Sequence, residues 1–175
     1  MIVYFMEQGG ICIVYNIGDK IVYPMHGAGV IESIEEKEIL GNRQKYYIMK
    51  MPIGDMKVMI PMASVQEIGI RQVINQQEAE GVIDIFKSGK TDMSSNWNKR
   101  YRENMVKIKS GNIYEVADVV KNLMYRDKEK GLSTGERKML NNARQILVSE
   151  LVLAKNMRQN EVESLLENLF CHTKN

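Results

Sequence analysis

The hydrophobic positions of this chain change period near its middle, dividing it into a strand-forming half and a helix-forming half. In the first half, short apolar runs alternate with turn residues. Lys20-Ile21-Val22-Tyr23 leads into Pro24, and Gly27-Ala28-Gly29 is expected to reverse the chain before Val30-Ile31-Glu32-Ser33-Ile34. Leu40-Gly41-Asn42-Arg43 can close a hairpin into Lys45–Met51, and Ile53-Gly54-Asp55 turns into Lys57-Val58-Met59-Ile60. Pro61, which has no amide to give to a ladder, marks that strand's end or an edge. Short strands joined by tight turns predict a small, strongly bent antiparallel sheet or partial barrel with a thin core.

Beyond the junction at Ile70–Asn75 the apolar spacing becomes helical, starting with Val82, Ile83, Ile85 and Phe86. A polar loop from Ser88 to Ser95 precedes a helix carrying Trp97, with Ser95 or Asn96 as its cap and Gly111 at its end. Ile113, Val116, Val119, Val120, Leu123 and Met124 form the apolar stripe of the next helix, which Gly131 stops. Ser133-Thr134-Gly135-Glu136 has the spacing of a capping box and opens a helix through Met139, Ala143, Leu147 and Leu151. A last helix runs through Val162, Leu166 and Phe170. The expected class is therefore α+β, a small antiparallel β module followed by a compact all-helical domain.

Composition adds limits. At 175 residues and 44% hydrophobic, the chain has room for one domain or two small ones. No apolar run approaches the roughly 20 residues of a membrane span. Met1–Met6 is apolar but lacks a basic leader and a small-residue cleavage site, so a cytoplasmic protein is expected. Cys12 and Cys171 lie in opposite tails and are read as free thiols. Residues 15 to 74 carry seven Lys/Arg against seven Asp/Glu, whereas residues 94 to 111 carry five basic residues against Glu103 alone. Residues 121 to 144 add seven more against three acidic ones. That local excess fits contact with an anion such as nucleic acid.

Catalytic chemistry is hard to assemble from these residues. His26 and His172 are the two histidines; the first sits at a strand turn, and the second adjoins Cys171 in the tail with poor geometry for a nucleophile and its base. Gly27 and Gly29 are not followed by the rest of a nucleotide-binding fingerprint. Glu35-Glu36-Lys37-Glu38 reads as a solvated face, and most of the thirteen methionines as core filler. Neither an enzyme nor a cofactor or metal site is expected. Trp97, the single tryptophan, is different: alone it would be read as core, but Lys99 and Arg102 share a helix face beside it, while Tyr101 and Met105 form a more apolar face. A rigid ring among cations can wedge into a nucleic-acid groove while the cations hold phosphates.

Three segments, taken in order, resemble the CarD family of bacterial RNA polymerase-binding transcription regulators, including its CdnL branch. They are Ile17-Gly18-Asp19-Lys20-Ile21-Val22-Tyr23-Pro24-Met25-His26-Gly27, Asn96-Trp97-Asn98-Lys99-Arg100-Tyr101, and Gly131–Leu140 with Ala143–Leu147. The resemblance covers residues 15 to 156. It implies a Tudor-like, SH3-like barrel over residues 14–74 that binds the polymerase β subunit, as in transcription-repair coupling factors, and a helical DNA-contacting domain over residues 75–175. It further implies minor-groove insertion of Trp97 at the upstream edge of the transcription bubble, DNA contact by Lys99, Arg102 and Arg137, and polymerase contact by Lys37, Met59 and Pro61. Some members carry arginine in place of Met59. A monomer that stabilises the open promoter complex is expected. Residues 1–13 have no counterpart; codons compatible with a ribosome-binding sequence at Gly9-Gly10 and a GTG start at Val14 predict an over-extended reading frame. The alternative is a protein–protein adaptor that makes no DNA contact and buries Trp97. A sequence-specific repressor fits less well, because no base-reading helix stands out.

Overall fold

The computed structural model describes residues 3–7 and 10–172, with side chains from Val14 onward. A separate hairpin, β1 (Val3–Glu7) and β2 (Gly10–Val14), precedes a five-stranded sheet. The sheet contains β3 (Lys20–Tyr23), β4 (Gly27–Ile39), β5 (Asn42–Lys50), β6 (Lys57–Pro61) and β7 (Arg71–Gln72), in the order β6-β5-β4-β3-β7, with every neighbouring pair antiparallel. Its core face carries Ile21, Ile31, Tyr47, Met49 and Ile60, closed at one end by Tyr15, whose hydroxyl donates to the Ile70 carbonyl at 3.1 Å.

The sheet is open, and this corrects the expected barrel. Closure would need a ladder between β6 and β7, yet each is an edge with one partner. The chain between them is helical rather than extended, with a 3-10 turn at Met62–Ser64 and a single-turn helix, α1 (Val65–Ile68). β7 contributes only two residues, both paired with β3. The expected turn at Gly27-Ala28-Gly29 is likewise displaced. Reversal occurs at Pro24-Met25-His26, where the His26 amide donates to the Tyr23 carbonyl at 3.0 Å and Met25 has a φ of 70°. Gly27 and Gly29 are strand residues that need to be small. A Cβ on Gly29 would lie 2.5 Å from Met49 Cγ and 2.6 Å from the Lys50 carbonyl, and one on Gly27 would lie 2.5 Å from Ser149 Oγ.

Five helices follow: α2 (Gln76–Lys87), α3 (Trp97–Lys109), α4 (Ile113–Lys130), α5 (Thr134–Lys155) and α6 (Gln159–His172). Asn75 and Glu78 form a capping box on α2, Ser133 and Glu136 one on α5, and Asn96 caps α3 by accepting the Lys99 amide at 3.0 Å. α5 is central: Ala143, Leu147 and Leu151 are buried among Val116, Val120 and Leu123 of α4, Val82 and Phe86 of α2, and Val162 and Leu166 of α6. α3 differs, because its buried residues are Arg100, Asn104 and Ile108, so polar contacts hold much of its inner face.

α5 also joins the two halves. Ser149 Oγ accepts the Ala28 amide at 2.9 Å, and Lys20 Nζ donates to the Leu153 carbonyl at 2.8 Å. Arg71 binds both oxygens of Glu150, at 2.6 and 2.8 Å, and donates to the Gly111 carbonyl at 3.0 and 2.8 Å. Glu150 also accepts the Ile74 amide at 3.1 Å and is fully buried. A bidentate charged pair of this kind, with a further backbone amide on the carboxylate, fixes orientation as well as contact.

Candidate nucleic-acid interface

Trp97 opens α3, and the loop before it is tied down. The Thr91 amide donates to Asn122 at 2.9 Å and its hydroxyl to Asp118 at 3.1 Å, while the buried Lys121 amine donates to Ser88 and Thr91 at 3.3 and 3.2 Å. Burial pushes the Asp118 carboxyl up, but hydrogen bonds and charge from Lys107, with Thr91 and Lys121, outweigh it and leave the group below its ordinary value of 3.8. The indole stacks on Tyr101, one turn on, with ring centres 5.3 Å apart and planes 27° apart. Its Nε1–H donates to Ser133 Oγ at 3.0 Å. Trp97 is nonetheless 44% exposed, so it is a supported surface residue and not part of the core.

Under that surface lies a buried charge cluster. Glu136 Oε1 accepts Arg100 Nε at 2.8 Å and lies 2.6 Å from Arg100 Nη2, with Arg126 Nε 3.2 Å away. Burial raises the Glu136 carboxyl, but hydrogen bonds from Arg100 and Ser133 outweigh it, so the group sits below its ordinary value of 4.5. Much of the positive charge that the sequence concentrates here is therefore internal. Arg100 and Lys121 are buried, Arg126 faces Glu136, and Lys107 pairs with Asp118 at 2.7 Å. Lys99, Arg102 and Arg137 remain on the surface. Lys99 lies 3.8 Å from Glu103, Arg102 Nε donates to the Asn98 carbonyl at 3.2 Å, and Arg137 lies 3.2 Å from Asp127. Lys99 and Arg102 share the exposed face of α3 beside Trp97, and Arg137 stands on the first turn of the helix whose cap holds the indole.

Lys37, Met59 and Pro61 share the sheet face opposite the core. Met59 pairs with Ile48 and Ile48 with Ser33; Pro61 pairs with Tyr46 and Tyr46 with Glu35; Lys37 pairs with Gln44, one same-face row further along. Met59 is 43% exposed, and Lys37 lies 3.1 Å from Glu35. A hydrogen bond from Lys37, helped by Ser33, holds the Glu35 carboxyl below its ordinary range, and one to Glu32 raises the Lys57 amine.

Comparison with known proteins now decides the lineage. Residues 15–74 match the CarD-like/TRCF RID domain, and residues 81–167 match the CarD C-terminal domain. The chain belongs to the CarD family. It is 45% identical over 150 residues to the "Putative transcription factor YdeB" of Bacillus subtilis (strain 168), a match spanning 86% of this chain and 98% of that protein. As a CarD-family chain it is a transcription regulator with an RNA polymerase-interacting domain, built from non-catalytic regulatory modules.

Other features of this CarD-family chain lie outside that description. Among the described residues no group of three His, Cys, Asp or Glu could hold a metal ion, and no helix is long and apolar enough to cross a membrane. Cys171 is a free thiol; the Cys12 side chain lies outside the described residues. A surface cleft of about 620 Å³ at the junction of the halves is lined by Arg71, Asn75, Glu78 and Tyr114, and by none of the candidate residues. Lys109 is also exposed, in the last turn of α3, and its spacing puts it on the same helix face as Lys99, Arg102 and Val106.

Proposed function

We propose that this CarD-family regulator binds the RNA polymerase β subunit through residues 14–74, using Lys37, Met59 and Pro61. Its helical segment, residues 75–175, then stabilises the open promoter complex from the upstream edge of the bubble. Trp97 enters the minor groove there, and Lys99, Arg102 and Arg137 contact nearby phosphates. The observation that carries this reading is the half-exposed indole, braced on its inner side by Tyr101 and Ser133 and flanked by surface cations.

The mechanism is energetic. Tethering to polymerase raises the local concentration of a weak DNA-binding surface, so contacts ineffective in solution become effective. An unstacked, widened groove accepts the ring better than straight duplex does. A preference of ~1.4 kcal/mol for open over closed complex changes their ratio about tenfold.

The test is the lifetime of open complexes formed by cognate polymerase alone, with wild-type protein and with Trp97→Ala. A longer lifetime that Trp97→Ala loses, while staying folded and polymerase-bound, is the expected result. No effect of the wild type on several promoters returns the adaptor reading.

A further inference from the structure

We infer that Ser133 and Glu136 are positioning residues for Trp97, and that they present its ring to DNA with the indole N–H already consumed. This rests on the proposed role of Trp97 as a DNA wedge.

A serine hydroxyl has one donor and two acceptor lone pairs. Ser133 uses all three: it donates to Glu136 Oε2 at 2.8 Å and accepts the Glu136 amide at 3.3 Å and Trp97 Nε1–H at 3.0 Å. The hydroxyl is therefore a fixed acceptor and not a free rotor. Glu136 is fixed in turn, because Oε2 also takes the Ser133 amide at 3.1 Å while Oε1 takes Arg100. Arg100 Nη1 donates to the Ser94 and Ser95 carbonyls at 2.8 and 3.1 Å, just before the Asn96 cap that starts α3. The contacts close a circuit from the indole through the α5 cap, Glu136 and Arg100 back to the loop that delivers Trp97. Arg100 and Glu136 are each 2% exposed, which keeps water from replacing either partner.

Minor-groove base edges offer acceptors at adenine N3 and thymine O2. An indole whose N–H is held by Ser133 cannot donate to them. The ring meets DNA as hydrocarbon and selects base steps by how readily they unstack.

Because Trp97 is the single tryptophan, its indole proton gives one unambiguous NMR signal. Hydrogen exchange at that proton is compared in the free wild type, Ser133→Gly and Ser133→Thr. Glycine is well tolerated at a helix cap, and threonine keeps the hydroxyl. Exchange about fivefold faster in Ser133→Gly, the equivalent of ~1 kcal/mol, with threonine restoring it, is the expected result. Open-complex lifetime should shorten in Ser133→Gly by up to about the same factor. That effect should vanish in a Trp97→Phe background, which has no N–H to hold. Equal exchange in wild type and Ser133→Gly overturns the inference whatever happens on DNA. Faster exchange with an unchanged lifetime, where Trp97→Ala does shorten it, overturns the positioning role and leaves the wedge standing. A lifetime indifferent to Trp97→Ala removes the wedge, and its positioning residues with it.

Discussion

Trp97 and Met59 are exposed to almost the same degree, 44% and 43%, yet the molecule holds them in opposite ways. Trp97 stands over a buried Arg100–Glu136 pair, to which the exposed Ser133 links its indole N–H. Met59 stands on an open sheet face whose charged neighbours, Lys57 with Glu32 and Lys37 with Glu35, are solvent-exposed pairs. Exposed pairs contribute about 0–1 kcal/mol and rearrange readily, whereas a buried pair is costly to break. Equal exposure thus covers two arrangements, one held by buried hydrogen-bonded charge and the other bordered by exposed ion pairs.

The comparison breaks most sharply at Glu136. Glu136→Ala leaves Arg100 buried without its carboxylate and removes half of the α5 capping box, so a loss of about 3–5 kcal/mol is expected. Urea unfolding measures it, and a loss under 1 kcal/mol would show that the cluster does not hold α3 in place.

Acid does by degrees what that truncation does at once. Glu136 and Asp118 both have folded pKa values below their ordinary 4.5 and 3.8. Their contribution is complete above those ordinary values and is lost as pH falls through the lower folded ones. Unfolding followed through Trp97 fluorescence should therefore be insensitive to these two groups between pH 7 and 5 and weaken below about 4.5. Exposed carboxylates such as Glu35 and Glu161 are also held low by their partners, but high salt screens those pairs. An acid loss that high salt abolishes would assign the effect to the surface and not to the cluster.

These contrasts also explain what could be read from the sequence. Helix positions were legible because their signals are local: Asn96 caps within three residues, Ser133 and Glu136 share one turn, and apolar spacing marks each inner face. Sheet closure was not, since it depends on whether residues 62–70 run extended or helical, which short apolar runs do not determine. Nor was the division of charge. Counting cations by segment groups Arg100 with Lys99, although one is 2% exposed and the other projects into solvent. The partner that decides Arg100, Glu136, lies 36 residues away, and Asp118, which absorbs Lys107, falls between the two basic windows.

The smallest effect on stability and a distinct effect on binding are expected together at Lys37. It is half-exposed and its contact with Glu35 is a surface pair, so Lys37→Glu should move unfolding free energy by less than about 0.5 kcal/mol. The same substitution makes residues 35–38 uniformly acidic, and a reversed charge at a protein contact acts mainly on association rate. Association with polymerase, followed by surface plasmon resonance across a salt series, should slow by roughly tenfold or more at low salt and converge on wild type as salt rises. An association rate unchanged at every salt concentration would remove Lys37 from the contact and leave Met59 and Pro61, an apolar pair whose loss should appear in dissociation instead. A slowed arrival would assign the charged part of the sheet face to steering, whereas an unchanged arrival would assign that face to holding the complex through Met59 and Pro61.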